Sequence, residues 1–174
     1  AWSDSKGNGG ADKAVQRIEE LLRTLMVDLE ERCGEPLSVT EPLFQWLMDH
    51  ACDLVNKYYV RKGSHTALEA IKGEPHTGEV YQVGAAVRPR RSGSARGGVA
   101  HERWNDGVYL GTQFSSGEDI LAMPNGKVVR ARAIQPTREG VPTTNAALNV
   151  IATGPAGGSE VITQNTVGPM KRSE

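Results

Sequence analysis

A glycine-rich turn followed by a long amphipathic helix, at residues 7–32, constrains the fold of this chain more than any other segment. Apolar residues recur there at spacings of three and four, which places them on one side of a helix that other parts of the protein must cover. Gly34 is a favourable C-terminal stop for this helix. The apolar stripe consists of Val15, Ile18, Leu21, Leu22, Leu25, Met26 and Leu29.

Two further helices are predicted before residue 75. The second is expected over residues 42–59, with Thr40 as its N-cap. The segment Thr66-Ala67-Leu68-Glu69 is a capping box that opens a short third helix, which closes at Lys72-Gly73. The stripe of the second helix consists of Phe44, Leu47, Met48, Ala51, Leu54, Val55 and Tyr58, with Trp46 on the opposite surface.

The hydrophobic period changes near residue 79, where the alternation typical of strands begins. Strands are expected at residues 80–87, 107–111, 120–123 and 127–134, and Asn125-Gly126 favours a tight hairpin turn. Several short strands in so short a segment are typical of a small β-barrel of the SH3 type. Residues 137–174 lack a sustained apolar period and are expected to be mostly disordered, with residues 161–163 the only hint of a strand.

Composition argues against several classes of protein. The formal net charge of −1 does not indicate a general nucleic-acid tail, although residues 88–103 hold five arginines against one acidic residue. Two cysteines form no disulfide framework, and the four histidines show no zinc-ligand spacing. No stretch approaches the ~20 apolar residues of a membrane span. We expect an intracellular protein, cytoplasmic or nuclear and not secreted, that does not associate with a membrane.

Asp12 is the residue for which a structural and a chemical explanation compete. It lies in the first turn of the first helix, where a carboxylate interacts favourably with the helix dipole by ~0.3–1 kcal/mol. That interaction alone would explain it. The alternative is a carboxylate held by a rigid helix for chemistry, with Lys13, Gln16 and Arg17 close behind it.

Four segments occur in an order that is found in one family. They are Asn8-Gly9-Gly10-Ala11-Asp12-Lys13, Leu54-Val55-Asn56-Lys57, His65-Thr66-Ala67-Leu68-Glu69 with Lys72-Gly73, and Gly107-Val108-Tyr109-Leu110-Gly111. Together they resemble the end of the integrase region of a copia-type LTR retrotransposon Pol polyprotein. The similarity covers roughly residues 5–136, and the ordered series carries it, since each motif alone is weakly specific.

The resemblance implies an α+β chain of three parts. Residues 1–78 would be an N-terminal helical hairpin, a remnant of a ribonuclease-H-like catalytic core. Residues 79–136 would be a small SH3-like β-barrel, and residues 137–174 a disordered tail. The chain would then be a fragment of a Pol polyprotein whose ancestral role is DNA binding and DNA integration, and Ala1 would be the edge of a longer polypeptide.

Catalysis and metal binding are implied for Asp12 by the same resemblance. In this family the acidic residue at that position is the third carboxylate of an Asp-Asp-Glu site, which holds two Mg²⁺ ions for phosphoryl transfer. Two departures argue against activity. Aspartate is one methylene shorter than the family's glutamate, and Asp4 is too close in sequence to replace either of the upstream aspartates. We expect Mg²⁺ only in an intact parent enzyme, no cofactor for this chain alone, and a chain that is inactive by itself.

DNA is the partner that the family implies, contacted through the phosphate backbone. The same side chains could equally form a solvated helix face and a solvated loop. The expected DNA-contacting residues are Lys13, Gln16, Arg23, Arg88, Arg90, Arg91 and Arg96.

A second hypothesis is a non-catalytic module that binds protein or RNA, in which the helical hairpin mediates oligomerisation. Trp104, Tyr109 and Phe114 could form a base-stacking or methyl-lysine face, or simply the core and rim of the barrel. No small-molecule substrate is evident. Without an upstream sheet, the helices should leave an exposed apolar surface that favours self-association. It is expected around Leu22, Met26, Leu29 and Phe44.

Overall fold

The computed structural model describes residues 9–60, 63, 65–89, 106–137, 151, 154–155 and 160–161. Within these ranges the chain is a mixed helix-and-sheet protein, in which three helices precede the strands. None of the helices in these ranges is long and apolar enough to cross a bilayer.

The helices lie close to their predicted positions. Helix α1 comprises Gly9–Cys33, α2 Pro42–Tyr58 and α3 Ala67–Lys72. Gly34, at φ 73°, ends α1 and donates its N–H to the carbonyl of Glu30. The capping box before α3 is confirmed, because Thr66 and Glu69 exchange side-chain and backbone hydrogen bonds.

The predicted N-cap of α2 was wrong. Glu41 occupies the N-cap position instead of Thr40, and its side chain makes no capping hydrogen bond. The hydroxyl of Thr40 lies 2.8 Å from the hydroxyl of Ser38, within the preceding loop. Pro42 makes a capping side chain less necessary, because its ring fixes φ for the first turn and it has no N–H to satisfy.

Six strands within the described residues form one sheet. They are β1 Ala86–Pro89, β2 Gly107–Thr112, β3 Asp119–Ala122, β4 Val128–Ala131, β5 Ile134–Pro136 and β6 Glu160–Val161. Their order across the sheet is β5-β1-β2-β3-β4-β6. The first five strands are antiparallel to their neighbours, and β6 joins the edge parallel to β4. After β4 the chain therefore crosses to the opposite edge of the sheet, where β5 pairs with β1.

Two strand predictions had the wrong extent. Residues 80–83 are not a strand, and Gly84 turns the chain at φ 85° just before β1 begins. The single strand predicted over residues 127–134 is two strands, because the chain leaves the sheet at Arg132-Ala133 to cross to β1. The Asn125-Gly126 turn between β3 and β4 is confirmed, with Gly126 at φ 79°.

One apolar core joins the helices to the sheet. Leu29 of α1 and Leu47 of α2 pack in the same cluster as Leu110 of β2. Trp46 is also buried in this cluster, so it does not form a separate exposed surface. The buried members are Leu29, Leu43, Trp46, Leu47, Val83, Val108, Leu110, Ile120, Ala122, Val128 and Ile151.

The exposed apolar surface predicted for the helices is not where it was expected. Leu29 is only 1% exposed, and Leu22, Met26 and Phe44 are half-buried. Leu22 and Met26 pack against the helix–sheet core. Helix α2 packs against this side of α1, and Leu29 reaches the core that the helices share with the sheet, so these residues are covered without a larger sheet from elsewhere.

The other face of the sheet has a core of its own. Successive side chains of a strand point to opposite faces, so the neighbours of the helix-facing residues gather on this side. Tyr109, between Val108 and Leu110, is completely enclosed there. The buried members are Val87, Tyr109, Leu121, Val129 and Ala131, all from strands.

Part of the expected disordered tail is ordered. Ile151 is buried in the helix–sheet core, and Glu160 and Val161 pair with Val129 and Arg130 of β4. The strand at Val161 agrees with the hint in the sequence, whereas Ile151 was not predicted, because a single apolar residue that reaches a core across a long separation leaves no period in the sequence. The rest of residues 138–174 lies outside the described residues.

Leu29→Ala should lower the free energy of unfolding by about 2–5 kcal/mol, since it leaves a cavity in the core that the helices share with the sheet. Val27→Ala on the same helix is the matched control, because Val27 is 55% exposed. It should change stability by less than about 0.5 kcal/mol. Urea unfolding followed by circular dichroism measures both, and equal effects would contradict the common core.

Candidate functional site

Helix α1 carries four of the site residues that were predicted from the sequence. Asp12 lies in the first turn, as predicted, and Asp12, Lys13 and Gln16 are exposed. Arg23 is exposed further along the helix, with its guanidinium 3.4 Å from the carboxylate of Glu19. The structure therefore leaves Lys13 and Gln16 available to a ligand and gives Arg23 an anionic neighbour.

A groove of about 450 Å³ runs beside these residues, between the start of α1, the end of α2 and the start of α3. Lys13 and Arg17 line it from α1, and Tyr59 lines it from the end of α2. The guanidinium carbon of Arg17 lies 3.4 Å from the centroid of the Tyr59 ring, a stacked cation–π contact. The groove combines two cations with an aromatic wall, which suits contact with a phosphate-bearing chain.

The arginine-rich segment begins at the end of β1. The guanidinium Nε of Arg88 donates to the carboxylate of Asp106 at 2.6 Å, just before β2 begins. This pair joins the two ends of the segment and engages Arg88 with an acidic partner. Arg90, Arg91, Arg96 and the aromatic Trp104 lie outside the described residues.

The described residues do not fit a magnesium centre. No group of three or more histidine, cysteine, aspartate or glutamate side chains in the described ranges could hold a metal ion. Asp12 is exposed in the first turn of α1, and no cluster of further carboxylates surrounds it in those ranges. We therefore derive no metal-dependent step for this chain.

A second cluster of polar residues lies on the buried side of α2. His50, Asp53 and Lys57 follow one another at spacings of three and four, so they share one helix face. They are 2%, 8% and 7% exposed. The ammonium of Lys57 lies 2.5 Å from Oδ2 of Asp53, and the His50 ring meets the Tyr109 ring edge-on at 5.9 Å between centroids.

The sheet supplies the other side of this cluster. The hydroxyls of Tyr109 and Thr112 lie 2.8 Å apart, and Thr112 pairs in register with Asp119 of β3. Burial raises the pKa of Asp119 to about 6, partly offset by the charge of Lys57. Burial lowers the pKa of His50 to about 4, against the opposing effect of Asp53. His50 is therefore neutral at neutral pH.

The sequence analysis missed this cluster. It followed only the apolar residues of α2, although His50, Asp53 and Lys57 interleave with Leu47, Ala51 and Leu54. Polar residues at helical spacing on a face that must be buried are the signal that would have revealed it.

A nucleophilic role does not follow from the geometry. Cys52 lines a cavity between α2 and β2, beside the cluster. Burial raises the pKa of its thiol, which disfavours the reactive thiolate. Tyr109 is fully buried, and burial also raises the pKa of its hydroxyl. Neither group is therefore activated as a nucleophile.

Comparison with known proteins does not assign the chain. No family model matches it, and neither a curated protein nor a solved structure shows significant similarity. The similarity of the four segments to a retrotransposon integrase stays a prediction.

Acid titration should show opposite effects of His50 and Asp119 on stability. In the folded protein His50 stays neutral from pH 6.5 down to about 4, whereas the unfolded residue is protonated over this range. The stability that neutral His50 contributes is therefore lost as the pH falls through that window. Folded Asp119 is protonated below about pH 6 whereas the unfolded residue ionises down to about 3.8, so its contribution grows as the pH falls. The two effects oppose each other between pH 6 and 4.

Replacing either residue should reveal the effect of the other. Asp119→Asn should lose more stability than the wild type between pH 6.5 and 4, and His50→Gln should lose less. Urea unfolding at pH 7, 6, 5 and 4 measures both slopes, with Asp12→Asn on the exposed start of α1 as control. Parallel curves for all four proteins would contradict the assigned pKa shifts.

Proposed function

We propose that this chain is a DNA-binding part of a retrotransposon integrase within a Pol polyprotein. The observation that carries the proposal is the placement of the four resembling segments. The described residues of each segment fall in order at the start of α1, the end of α2, the capping-box helix α3 and strand β2. These are the positions that the family pattern implies.

The sheet supports the SH3-like part of the proposal. Four consecutive antiparallel strands form a meander, and the fifth strand returns to lie beside the first. That arrangement is found in SH3-like barrels. A second core, built from strand residues and separate from the helix–sheet core, agrees with such a barrel. The helices are the proposed remnant of a ribonuclease-H-like core.

The proposed DNA contacts lie in the segment between β1 and β2. Val87 pairs directly with Gly107, so the two ends of the segment are held side by side. The Arg88–Asp106 ion pair lies at its base and takes up one of the arginines. Arg90, Arg91 and Arg96 then carry most of the DNA contact, and Lys13 and Gln16 add to it from α1.

Catalysis is not proposed for this chain alone. The described residues do not complete a two-metal site around Asp12, and two-metal phosphoryl transfer needs further carboxylates to hold both ions. Any integration activity would belong to a parent polypeptide that supplies those aspartates. Asp12 would contribute its carboxylate only there.

An interaction module is the alternative function, and one observation favours it. Apolar side chains are exposed at the end of α2 and on α3, on two neighbouring elements. An exposed patch of this kind marks a contact surface for a partner or a second copy. The side chains are Tyr58, Tyr59, Val60 and Ile71.

The double variant Arg90→Ala/Arg91→Ala should weaken binding to duplex DNA by about tenfold, because each phosphate contact depends on release of counterions. Fluorescence anisotropy with a labelled duplex, repeated at several salt concentrations, measures the affinity. The slope of log affinity against log salt should fall by about 2 in magnitude.

The matched control is Lys127→Ala/Arg132→Ala, which removes two exposed positive charges from another part of the sheet domain. An equal loss of affinity in the control would mean non-specific attraction. Absence of DNA affinity in the wild type, together with a stoichiometric protein complex, would favour the interaction module.

Asp12→Glu tests the catalytic expectation. With Mg²⁺ and a donor DNA duplex, neither the wild type nor Asp12→Glu should join DNA ends. Both should bind DNA with the same affinity to within about twofold, because the charge is unchanged. Strand transfer by either protein on a sequencing gel would contradict the conclusion.

A further inference from the structure

The groove between the starts of α1 and α3 and the end of α2 has a mostly apolar lining and only positive charge. Its cations are Lys13 and Arg17, and no aspartate or glutamate lines it in the described part of the chain. A methyl group added at Gly10 would meet no atom within 4 Å, so this end of the groove is open. The small and apolar lining residues are Gly10, Ala11, Ala14, Val55 and Ala67.

Arg17 supplies an oriented cation to the groove. The side chain is half-buried, and its guanidinium carbon lies 3.4 Å from the centroid of the Tyr59 ring. Apart from this ring contact, it has no hydrogen bond or ion pair with the residues that the structure describes. A guanidinium presents its donors in a planar fork that matches both oxygens of a carboxylate. Arg17 is therefore positioned to donate to a carboxylate from outside the chain.

An exposed apolar surface continues from the groove. Tyr59 belongs to both, since it lines the groove and is also exposed, and the exposed Val60 follows it. Ile71 is 70% exposed and lies one helical turn beyond Ala67, so the two residues share a face of α3. Exposed apolar side chains at the rim of a groove mark a contact with a partner. Tyrosine and arginine are also among the residue types that contribute most to protein–protein affinity.

The lining favours a protein segment over a nucleic acid. Phosphates would also be attracted by Lys13 and Arg17, but protein–DNA interfaces are more polar and much more positively charged than protein–protein interfaces. Here only two cations lie beside an apolar lining and an exposed isoleucine. A segment that carries both carboxylates and apolar side chains complements the two parts of this surface.

We propose that the groove binds an acidic, amphipathic segment of a protein partner. A carboxylate of the segment accepts hydrogen bonds from the guanidinium of Arg17, and its apolar side chains cover the groove lining and Ile71. An amphipathic helix laid into a groove is a common form of such recognition. The proposal goes beyond the proposed DNA binding and names a partner for the alternative interaction surface. Lys13 borders both surfaces, so the variants below leave it unchanged.

The probe is a phage-displayed library of random peptides, selected against the full chain. Phage that also bind the double variant Arg17→Lys/Ile71→Ser are removed, so the remaining peptides depend on the groove. The selected peptides should combine aspartate or glutamate with large apolar residues at helical spacing. They are then synthesised with a fluorescent label, and anisotropy measures their affinity for the full chain.

Arg17→Lys should weaken binding of the selected peptides about tenfold, because lysine keeps the charge but loses the planar pair of donors. Ile71→Ser should weaken it about fivefold, because apolar contact is lost. Replacing the acidic residues of a peptide by their amides should weaken binding at least about tenfold, because charge-assisted hydrogen bonds are the stronger ones.

The matched controls are Arg132→Lys and Val39→Ser, which make the same kinds of change at exposed positions outside the groove. They should leave peptide affinity unchanged to within about twofold, since surface substitutions away from the contact have small effects. Circular dichroism should show the same fold in all four variants.

Several results would overturn the proposal. They are the absence of any peptide that depends on the groove, enrichment of peptides without acidic residues, and an equal loss of affinity in the controls. Binding of single-stranded oligothymidine with the same dependence on Arg17 and Ile71 would assign the groove to nucleic acid instead. Loss of a dimer in Ile71→Ser would assign it to a second copy.

Failure of this proposal and failure of the proposed DNA binding are distinguishable. Arg17→Lys and Ile71→Ser do not change the charge of the chain. Their affinity for duplex DNA should therefore stay within about twofold of the wild type.

Discussion

The packing of α2 against β2 is the contact on which the rest of the structure depends. Leu47 and Trp46 of α2 lie in one cluster with Val108 and Leu110 of β2, and Leu29 brings α1 into the same cluster. Through this contact the small sheet packs against α2, and α2 packs in turn against α1. Truncating one side chain at its centre should therefore destabilise helices and strands together, because residues of both pack in this one cluster.

The same interface encloses charge, and this is unusual for an apolar contact. The Asp53–Lys57 pair lies beside neutral His50, against a tyrosine of the sheet. A buried ion pair contributes little net stability, because desolvation offsets most of its attraction. The acid-base behaviour of the interface depends on the balance between His50 and Asp119.

The proposed functions use different regions of one molecule. DNA binding is assigned to the arginine-rich segment between β1 and β2 and to the exposed start of α1. The alternative interaction surface is assigned to the exposed apolar side chains at the end of α2 and on α3.

The sequence by itself determined the local structure. Local rules predicted the features that depend on neighbouring residues alone. They are the spacing of apolar residues in α1, the end of α1 at Gly34, the Thr66–Glu69 capping box and the Asn125-Gly126 turn. Only the tertiary structure decided which side chains meet across the chain. Four features depend on partners far away in sequence. They are the burial of Trp46, the division of residues 127–134 into two strands, the position of Ile151 in the core and the His50–Asp53–Lys57 cluster. Hydrophobic periodicity predicts that one face of a helix or strand is buried, but it carries no information about which residues cover that face.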